Sequence, residues 1–143
     1  MEVQLAGSDL QIFNCFPVVV QLRPHLQQDT FVDRVQRQMQ EGYQLAFIQA
    51  QAEVVAIAGF RMIENLSWGK ILYVDDLVVS EQARSQGYGE QLLQWLMEYG
   101  KQQQCEQLHL DSGVQRFAAH RFYFRQRLTI NSYHFAVQLA SPD

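Results

Sequence analysis

The residues that most directly suggest chemistry form one run, Leu77-Val78-Val79-Ser80-Glu81-Gln82-Ala83-Arg84-Ser85-Gln86-Gly87-Tyr88-Gly89-Glu90. An apolar stretch passes through a short turn into an amphipathic helix whose start carries Arg84, Gly87 and Gly89. The glycines leave no side chain between backbone N–H groups and an approaching ligand. The positive end of the helix dipole adds roughly 0.3–1 kcal/mol of attraction for an anion at an exposed site. The expected chemistry is therefore phosphate or other anion binding at a helix start.

Two Gly-rich loops are excluded by what surrounds these glycines. A Walker loop needs Lys and then Ser or Thr after its second glycine, and Glu90-Gln91 stand there instead. The dinucleotide fingerprint needs a third glycine so that helix and strand pack closely, and Leu92 occupies that place. The pattern that remains, Arg84-x-x-Gly87-x-Gly89 behind a hydrophobic strand, resembles the pyrophosphate loop of the GNAT N-acetyltransferases, which move an acetyl group from acetyl-CoA to an amine. Tyr73-Val74-Asp75-Asp76-Leu77-Val78-Val79 is similar to that family's fourth strand, and Leu108-His109-Leu110-Asp111-Ser112 to its fifth. Ala118-Ala119-His120-Arg121-Phe122-Tyr123 resembles the helix that carries its aromatic acid. The similarity runs from residue 43 to 138, and more weakly through the helical N-terminal part.

This resemblance implies an α/β (α+β) fold with a mixed, mostly antiparallel sheet, splayed parallel strands 4 and 5, and flanking helices. It implies that the pantetheine arm of CoA lies along the backbone of Leu77, Val78 and Val79. The pyrophosphate would then be held by Arg84, Ser85, Gln86, Gly87, Tyr88, Gly89 and Glu90. Acetyl-CoA is the implied cosubstrate, with no metal.

Direct attack of an amine on a bound thioester, within a ternary complex, needs a neutral amine, a polarised carbonyl and a proton for the departing thiolate. Tyr123 stands where the family commonly has a tyrosine whose hydroxyl faces the CoA sulfur. A phenol of pKa about 10 can protonate a thiolate while staying neutral itself at physiological pH. The competing reading packs Tyr123 among Phe117, Phe122 and Phe124. For the base, Asp75, Asp76 and Asp111 compete. Strand alternation puts Asp75 and Asp76 on opposite faces unless a bulge intervenes. Asp76 and Asp111 are the candidates, each relaying a proton through water, and His120, on the helix face of Tyr123, is a further one. Two residues depart from the family pattern: Arg116 replaces an asparagine seven residues before the tyrosine, and Arg127 a glycine four residues after it.

Bulk properties narrow the function classes. At 143 residues the chain is expected to form one acetyltransferase domain over residues 1–143, with 48% hydrophobic and 18% charged residues, so it can build a core and is not disordered. A net charge of −4 and a pI near 5.5 argue against nucleic-acid binding, which needs a basic face. Arg116, Arg121, Arg125 and Arg127 concentrate positive charge in one segment, read either as a solvated helix face or as a contact for CoA phosphates. Cys15 and Cys105 have no metal-ligand spacing and read as structural thiols. No apolar run approaches a membrane span, so a cytoplasmic protein without membrane contact is expected. The partner is a small-molecule or peptide amine, with Phe31, Tyr43, Phe60, Arg61, Trp68 and Tyr133 as substrate-side candidates. A homodimer through edge strands at the C-terminus is open. The alternative function is a non-catalytic CoA-binding or acetyl-CoA-binding regulatory module.

The elements that must position these groups follow from periodicity and punctuation. Ser8-Asp9 precede a helix through Ile12, Phe13, Phe16 and Val19, although Pro17 and Val18-Val19-Val20 are poor helix interiors. Asp29-Thr30 cap a helix over 31–41, with Phe31, Val35 and Met39 on one face and Gly42 ending it. Runs at 45–51 and 54–63 predict an antiparallel hairpin, followed by a strand over 71–79 and a helix over about 85–103 with Leu92, Leu93, Leu96 and Tyr99 inward. A strand at 108–111, a helix at 115–125 and a final strand at 130–139 complete the expectation.

Overall fold

The computed structural model describes residues 2–141. The chain divides into two compact units, Met1–Leu110 and Asp111–Asp143. The first holds β1 (Val3–Leu5), α1 (Asp9–Leu22), α2 (Gln28–Met39), β2 (Gln44–Ala50), β3 (Glu53–Asn65), β4 (Gly69–Val79), a 3-10 turn (Glu81–Ala83), α3 (Tyr88–Gln102) and β5 (Gln107–Leu110). The second holds α4 (Phe117–Arg125).

The five strands form one sheet in the order β1-β2-β3-β4-β5, antiparallel throughout except for the parallel pair β4–β5. A parallel neighbour needs a crossover, and α3 supplies it. Alternation sorts the side chains. Leu45, Phe47, Ile57 and Val78 face α1 and α2 in a cluster with Ile12, Cys15, Val18, Val19, Phe31 and Val35. On the opposite face Phe60 packs edge-on against Trp95 and Tyr99 of α3, 6.0 and 5.6 Å between ring centroids. Phe31 and Phe60 are thus core residues, fully enclosed, and not the substrate-side groups expected of them.

Ser8 caps α1 by accepting from the N–H of Gln11, 3.2 Å, while the Gln11 side chain accepts from the N–H of Gly7. The helix runs through Pro17, because burial of Val18 and Val19 outweighs their weak propensity. α2 begins at Gln28, three residues before the expected start, so Asp29 and Thr30 lie in its first turn and do not cap it. The β2–β3 hairpin closes on two residues, Gln51 and Ala52, at φ +51° and +69°, as the right-handed twist of a tight hairpin requires. α3 begins at Tyr88, later than expected, because Gly87 is left-handed at φ +86° and stands outside the helix.

Two details of β4 position everything that follows. Gly59 of β3 pairs with Asp76 while Phe60 pairs with Val74, so Asp75 is an extra residue, a β-bulge. Pairing of β4 with β5 covers only Ile71–Val74. From Asp75 to Val79, about 16 Å of strand at the usual rise, β4 has no strand neighbour on its β5 side among the described residues. The expected separation of the parallel pair is present, and the bulge sits where it begins.

The bulge turns Asp75 and Asp76 toward the same face. Arg61 donates to both oxygens of Asp75, Nε at 3.1 Å and Nη2 at 2.7 Å, and its guanidinium carbon lies 5.4 Å from the Tyr43 ring centroid. The Tyr43 hydroxyl donates to Asp76 Oδ2 at 2.8 Å. Arg23 closes the network, Nε to Asp76 Oδ1 and Nη2 to the Asp75 carbonyl, both 2.9 Å. Gly59 makes room for it: a Cβ there would overlap the Tyr43 phenol and sit 2.8 Å from Asp76 Oδ2.

In the second unit the expected strand over 130–139 is not formed: residues 129–140 carry neither helix nor strand and are exposed. The expectation of a strand is corrected here: apolar residues alternate through the segment, but a strand needs a partner, and the described residues give this one none. α4 ends where the N–H groups of Arg127 and Leu128 bond to the carbonyls of Phe124 and Tyr123, each 3.0 Å, with Arg127 at φ +68°. That is the left-handed position a helix end reserves for glycine, which accounts for Arg127 as a departure from the family pattern.

Gly59→Ala is expected to destabilise the protein by about 2–3 kcal/mol through overpacking. In a Tyr43→Phe background, where the hydroxyl is gone, the same change should be milder, and urea titrations of the four proteins measure that coupling. Equal losses in both backgrounds would refute the close approach. Arg127→Gly relieves a left-handed strain of roughly 1–2 kcal/mol against a glycine entropy penalty of roughly 0.5–1 kcal/mol, so the thermal midpoint should rise.

Candidate active site

The anion loop is built by the end of β4 and the start of α3. Ser80 is buried, its N–H bonded to the Val55 carbonyl at 2.8 Å and its hydroxyl to Gln82 Oε1 at 2.9 Å. Gln21 of α1 reaches the same turn, accepting from the Glu81 N–H at 3.0 Å and donating to the Ser80 hydroxyl at 3.4 Å. These bonds fix where the chain leaves the sheet. Beyond them Arg84, Ser85, Gln86 and Gly87 are all exposed, with left-handed φ of +65° at Ser85 and +86° at Gly87.

No side chain caps α3. The first bond of the helix runs from the Gln91 N–H to the Gly87 carbonyl, 3.0 Å. The N–H groups of Tyr88, Gly89 and Glu90 lie ahead of it and have no intrahelical acceptor. A Cβ at Gly87 would meet nothing within 4 Å, so the space in front of the loop is open. The Glu90 carboxylate accepts from Gln94 at 3.2 Å, along the helix; what Glu90 offers an anion is its N–H. Leu77 and Val79 are half-buried and Val78 buried on the unflanked stretch of β4, whose backbone can accept and donate to an extended chain laid beside it.

Asp76 lies at the near end of that stretch. Both its oxygens already take a donor, from Arg23 and Tyr43, and each keeps a second lone pair for a water. The partner phenol is neutral: burial, then the Asp76 charge and hydrogen bond, push the Tyr43 hydroxyl well above the ordinary tyrosine range. Arg23 and Tyr43 are the functional neighbours that sequence reading missed in this role. They lie 53 and 33 positions from Asp76, and no local pattern links them. Arg61, expected on the substrate side, is instead committed to Asp75 and to Gln38 Oε1, 3.1 Å from Nη2. The Trp68 ring lies tilted by 36° against His109, 4.1 Å between ring centroids.

The second unit carries the other candidates. Asp111 Oδ1 is 3.3 Å from His134 Nδ1, both side chains about half-exposed or more. His120 Nε2 is 2.8 Å from the Gly113 carbonyl. A carbonyl only accepts, so Nε2 holds the proton and Nδ1 of the neutral ring holds the free lone pair. Tyr123 contacts Phe122 edge-on at 5.5 Å, while Phe117 and Phe124 are exposed and do not enclose it in an aromatic core. Burial raises the Tyr123 hydroxyl above its ordinary value of 10.0, and the Arg116 charge works against that. Tyr123 is thus protonated at neutral pH, the form a general acid needs.

Burial pushes the Cys15 thiol up to about 12 and also raises Cys105, against the Lys70 charge, so both environments disfavour the thiolate. Arg116, Arg121, Arg125 and Arg127 are all exposed. Among the described residues no helix is long and apolar enough to cross a membrane, and no three His, Cys, Asp or Glu side chains are grouped to hold a metal ion.

The chain and its fold are similar to those of known proteins. The chain is similar to the uncharacterized N-acetyltransferase YhdJ of Bacillus subtilis, 32% identical over 122 residues that cover 84% of this chain and 86% of that protein. It is similar to the aminoalkylphosphonate N-acetyltransferase of Salmonella typhimurium, 34% identical over 87 residues, 59% of this chain and 54% of that one. Its fold matches the structure of AAC(6')-Iy in complex with the bisubstrate analogue CoA-S-monomethyl-acetylneamine with a TM-score of 0.84, covering 98% of each chain at 10% identity. The model of the acetyltransferase (GNAT) family matches residues 11–127, reaching further into the N-terminal helices than the motifs alone suggest and stopping short of the C-terminal segment. The chain belongs to the GNAT family of acetyltransferases.

Proposed function

We propose that this protein transfers an acetyl group from acetyl-CoA to a primary amine by direct attack in a ternary complex. The observation that carries the donor half is the uncapped, exposed start of α3 beside an unflanked stretch of β4. Arg84 and the N–H groups of Ser85 through Glu90 would hold the pyrophosphate, assisted by the helix dipole. The backbone of Leu77, Val78 and Val79 would take the pantetheine arm as an added strand takes a sheet edge.

Residue roles in the chemical step follow the family pattern and the local environments. Tyr123, neutral at physiological pH, would protonate the departing thiolate. Asp76, anchored by Arg23 and Tyr43, would hold a water that removes the amine proton; Asp111 and the free Nδ1 of His120 are the other groups suited to that relay. A primary amine on a small molecule is favoured as acceptor, because a relative at 34% identity bears the name aminoalkylphosphonate N-acetyltransferase.

Thiol release from acetyl-CoA over a panel of aminoalkylphosphonates, polyamines and peptides tests this reading. At least one amine should raise the rate above hydrolysis. Gly87→Val, forced into left-handed backbone, should weaken acetyl-CoA binding tenfold or more, about 1.4 kcal/mol. Tyr123→Phe should lower kcat by about 10²-fold with acetyl-CoA affinity unchanged. The acid must stay protonated and its hydroxyl is raised, so wild-type kcat should fall only above pH 10, and that limb should vanish in Tyr123→Phe. Tight acetyl-CoA binding with no amine-dependent thiol release would leave the non-catalytic binding module as the reading.

A further inference from the structure

Arg23 stands where α1 ends and is held at two points. Its Nε donates to Asp76 Oδ1 and its Nη2 to the Asp75 carbonyl, both at 2.9 Å. A guanidinium carries five N–H groups in a flat fork, and among the described residues only these two are used. Exposure within the ion pair is lopsided: the Arg23 side chain is 43% exposed and that of Asp76 16%. A molecule approaching the pair therefore meets the outer edge of the guanidinium first. Because its two bonds already fix the fork, little further rotamer freedom is lost when that edge takes a ligand.

The place of that edge in β4 gives it a use. Asp75 is the first residue past the last pairing of β4 with β5, Val74 with Leu110. From there β4 runs through Leu77, Val78 and Val79 to the turn and the glycine loop. A donor with its pyrophosphate at the loop and its arm along the strand brings its thioester to the Asp76 end. An amine attacking there comes within reach of Arg23, and so does a group a few bonds from its nitrogen. The local charges decide what that group is. Arg23 and Arg61 balance Asp76 and Asp75, so no surplus negative charge remains for the second ammonium of a polyamine. What remains is charged N–H donors, which suit an oxyanion. We propose, resting on the acetyl-transfer reading, that Arg23 binds an acidic group of the acceptor and so selects amines carrying a carboxylate or phosphonate near the nitrogen. The nitrogen then lies toward Asp76 and the oxyanion against the outer edge of Arg23, one ion pair laid antiparallel on another. Charge-assisted hydrogen bonds of this kind favour such an amine over its acid-free counterpart by about 10–100-fold.

Titration calorimetry on the full chain saturated with CoA reads this contact without requiring turnover. The probes are aminoethylphosphonate and β-alanine, set against propylamine and putrescine. At least one of the two acids should bind about tenfold or more tightly than propylamine and putrescine. Arg23→Met removes the fork and should bring the acids down to the level of propylamine. Arg23→Lys keeps a cation beside Asp76 but only as a point donor, so it should lower the preference about threefold or more, and it carries the test if Arg23→Met does not fold. Loss of the Asp76 anchor acts on acid-bearing and acid-free amines alike, so the ratio between them reads the acid contact alone. Wherever an amine is turned over, the ratio of kcat/KM values should collapse in the same variants, through KM for the amine and with KM for acetyl-CoA unchanged. Either order of phosphonate and carboxylate supports the contact and names the acid. Failure of both acids to bind would overturn the proposal, as would propylamine or putrescine binding as tightly as the acids. A preference unchanged in either folded variant would do the same. Acid-dependent binding that is lost in the variants, with no thiol release from any amine, would support the Arg23 contact and count against acetyl transfer, so the two readings fail separately.

Discussion

One extra residue in β4 organises the first unit. Because Asp75 has no opposite number in β3, the strand changes the faces its side chains address at that point. Tyr73, Asp75, Asp76 and Val78 then all look toward α1 and α2, where a regular strand would have divided them. Two adjacent carboxylates on one face repel unless each is answered. Arg61 answers the first, Arg23 and Tyr43 the second. The hydroxyl of Tyr43 fits only because residue 59 has no side chain. Bulge, glycine, phenol and two arginines are therefore a single structural unit, each member requiring the others.

The bulge also divides β4 by function. Before it, the strand is paired on both sides and belongs to the sheet; after it, one side has no strand neighbour among the described residues, and its backbone groups can serve a ligand. The same half of the strand leads into the turn that Gln21 ties to α1, and so into the glycine loop. An extended ligand with an anionic middle could follow that line from strand edge to helix start. A long pantetheine arm ending in a pyrophosphate has that form. The membership of the chain in the acetyltransferase family is thus matched by a physical reason in its backbone.

The candidate site was unequally legible. The exposed, uncapped start of α3 could be read, because glycine is the residue that signals exposed backbone. The position of Arg127 could be read as an oddity, and the structure turns it into a left-handed helix end occupied by a residue other than glycine. The neighbours of Asp76 could not be read. Arg23 sits at the end of a helix and Tyr43 at the start of a strand, and only the packing of α1 and β2 on β4 brings them to one carboxylate. Phe31 and Phe60 were misread for the same reason: an aromatic residue looks the same in sequence whether it faces a ligand or a core.

Local physics, which the sequence contains in full, determined most of the elements of the first unit, the parallel crossover, the glycines before α3 and the alternation of residues 130–139. It did so because propensity, capping and period depend on neighbours within a few residues. Tertiary structure alone decided that Asp75 bulges, that both aspartates share a face, that Gly59 is needed by a side chain 16 positions earlier, and that the final alternation finds no strand partner among the described residues. Each of these depends on which distant groups meet. A strand pattern states what a segment can bury, and only the folded arrangement decides whether anything is there to bury it.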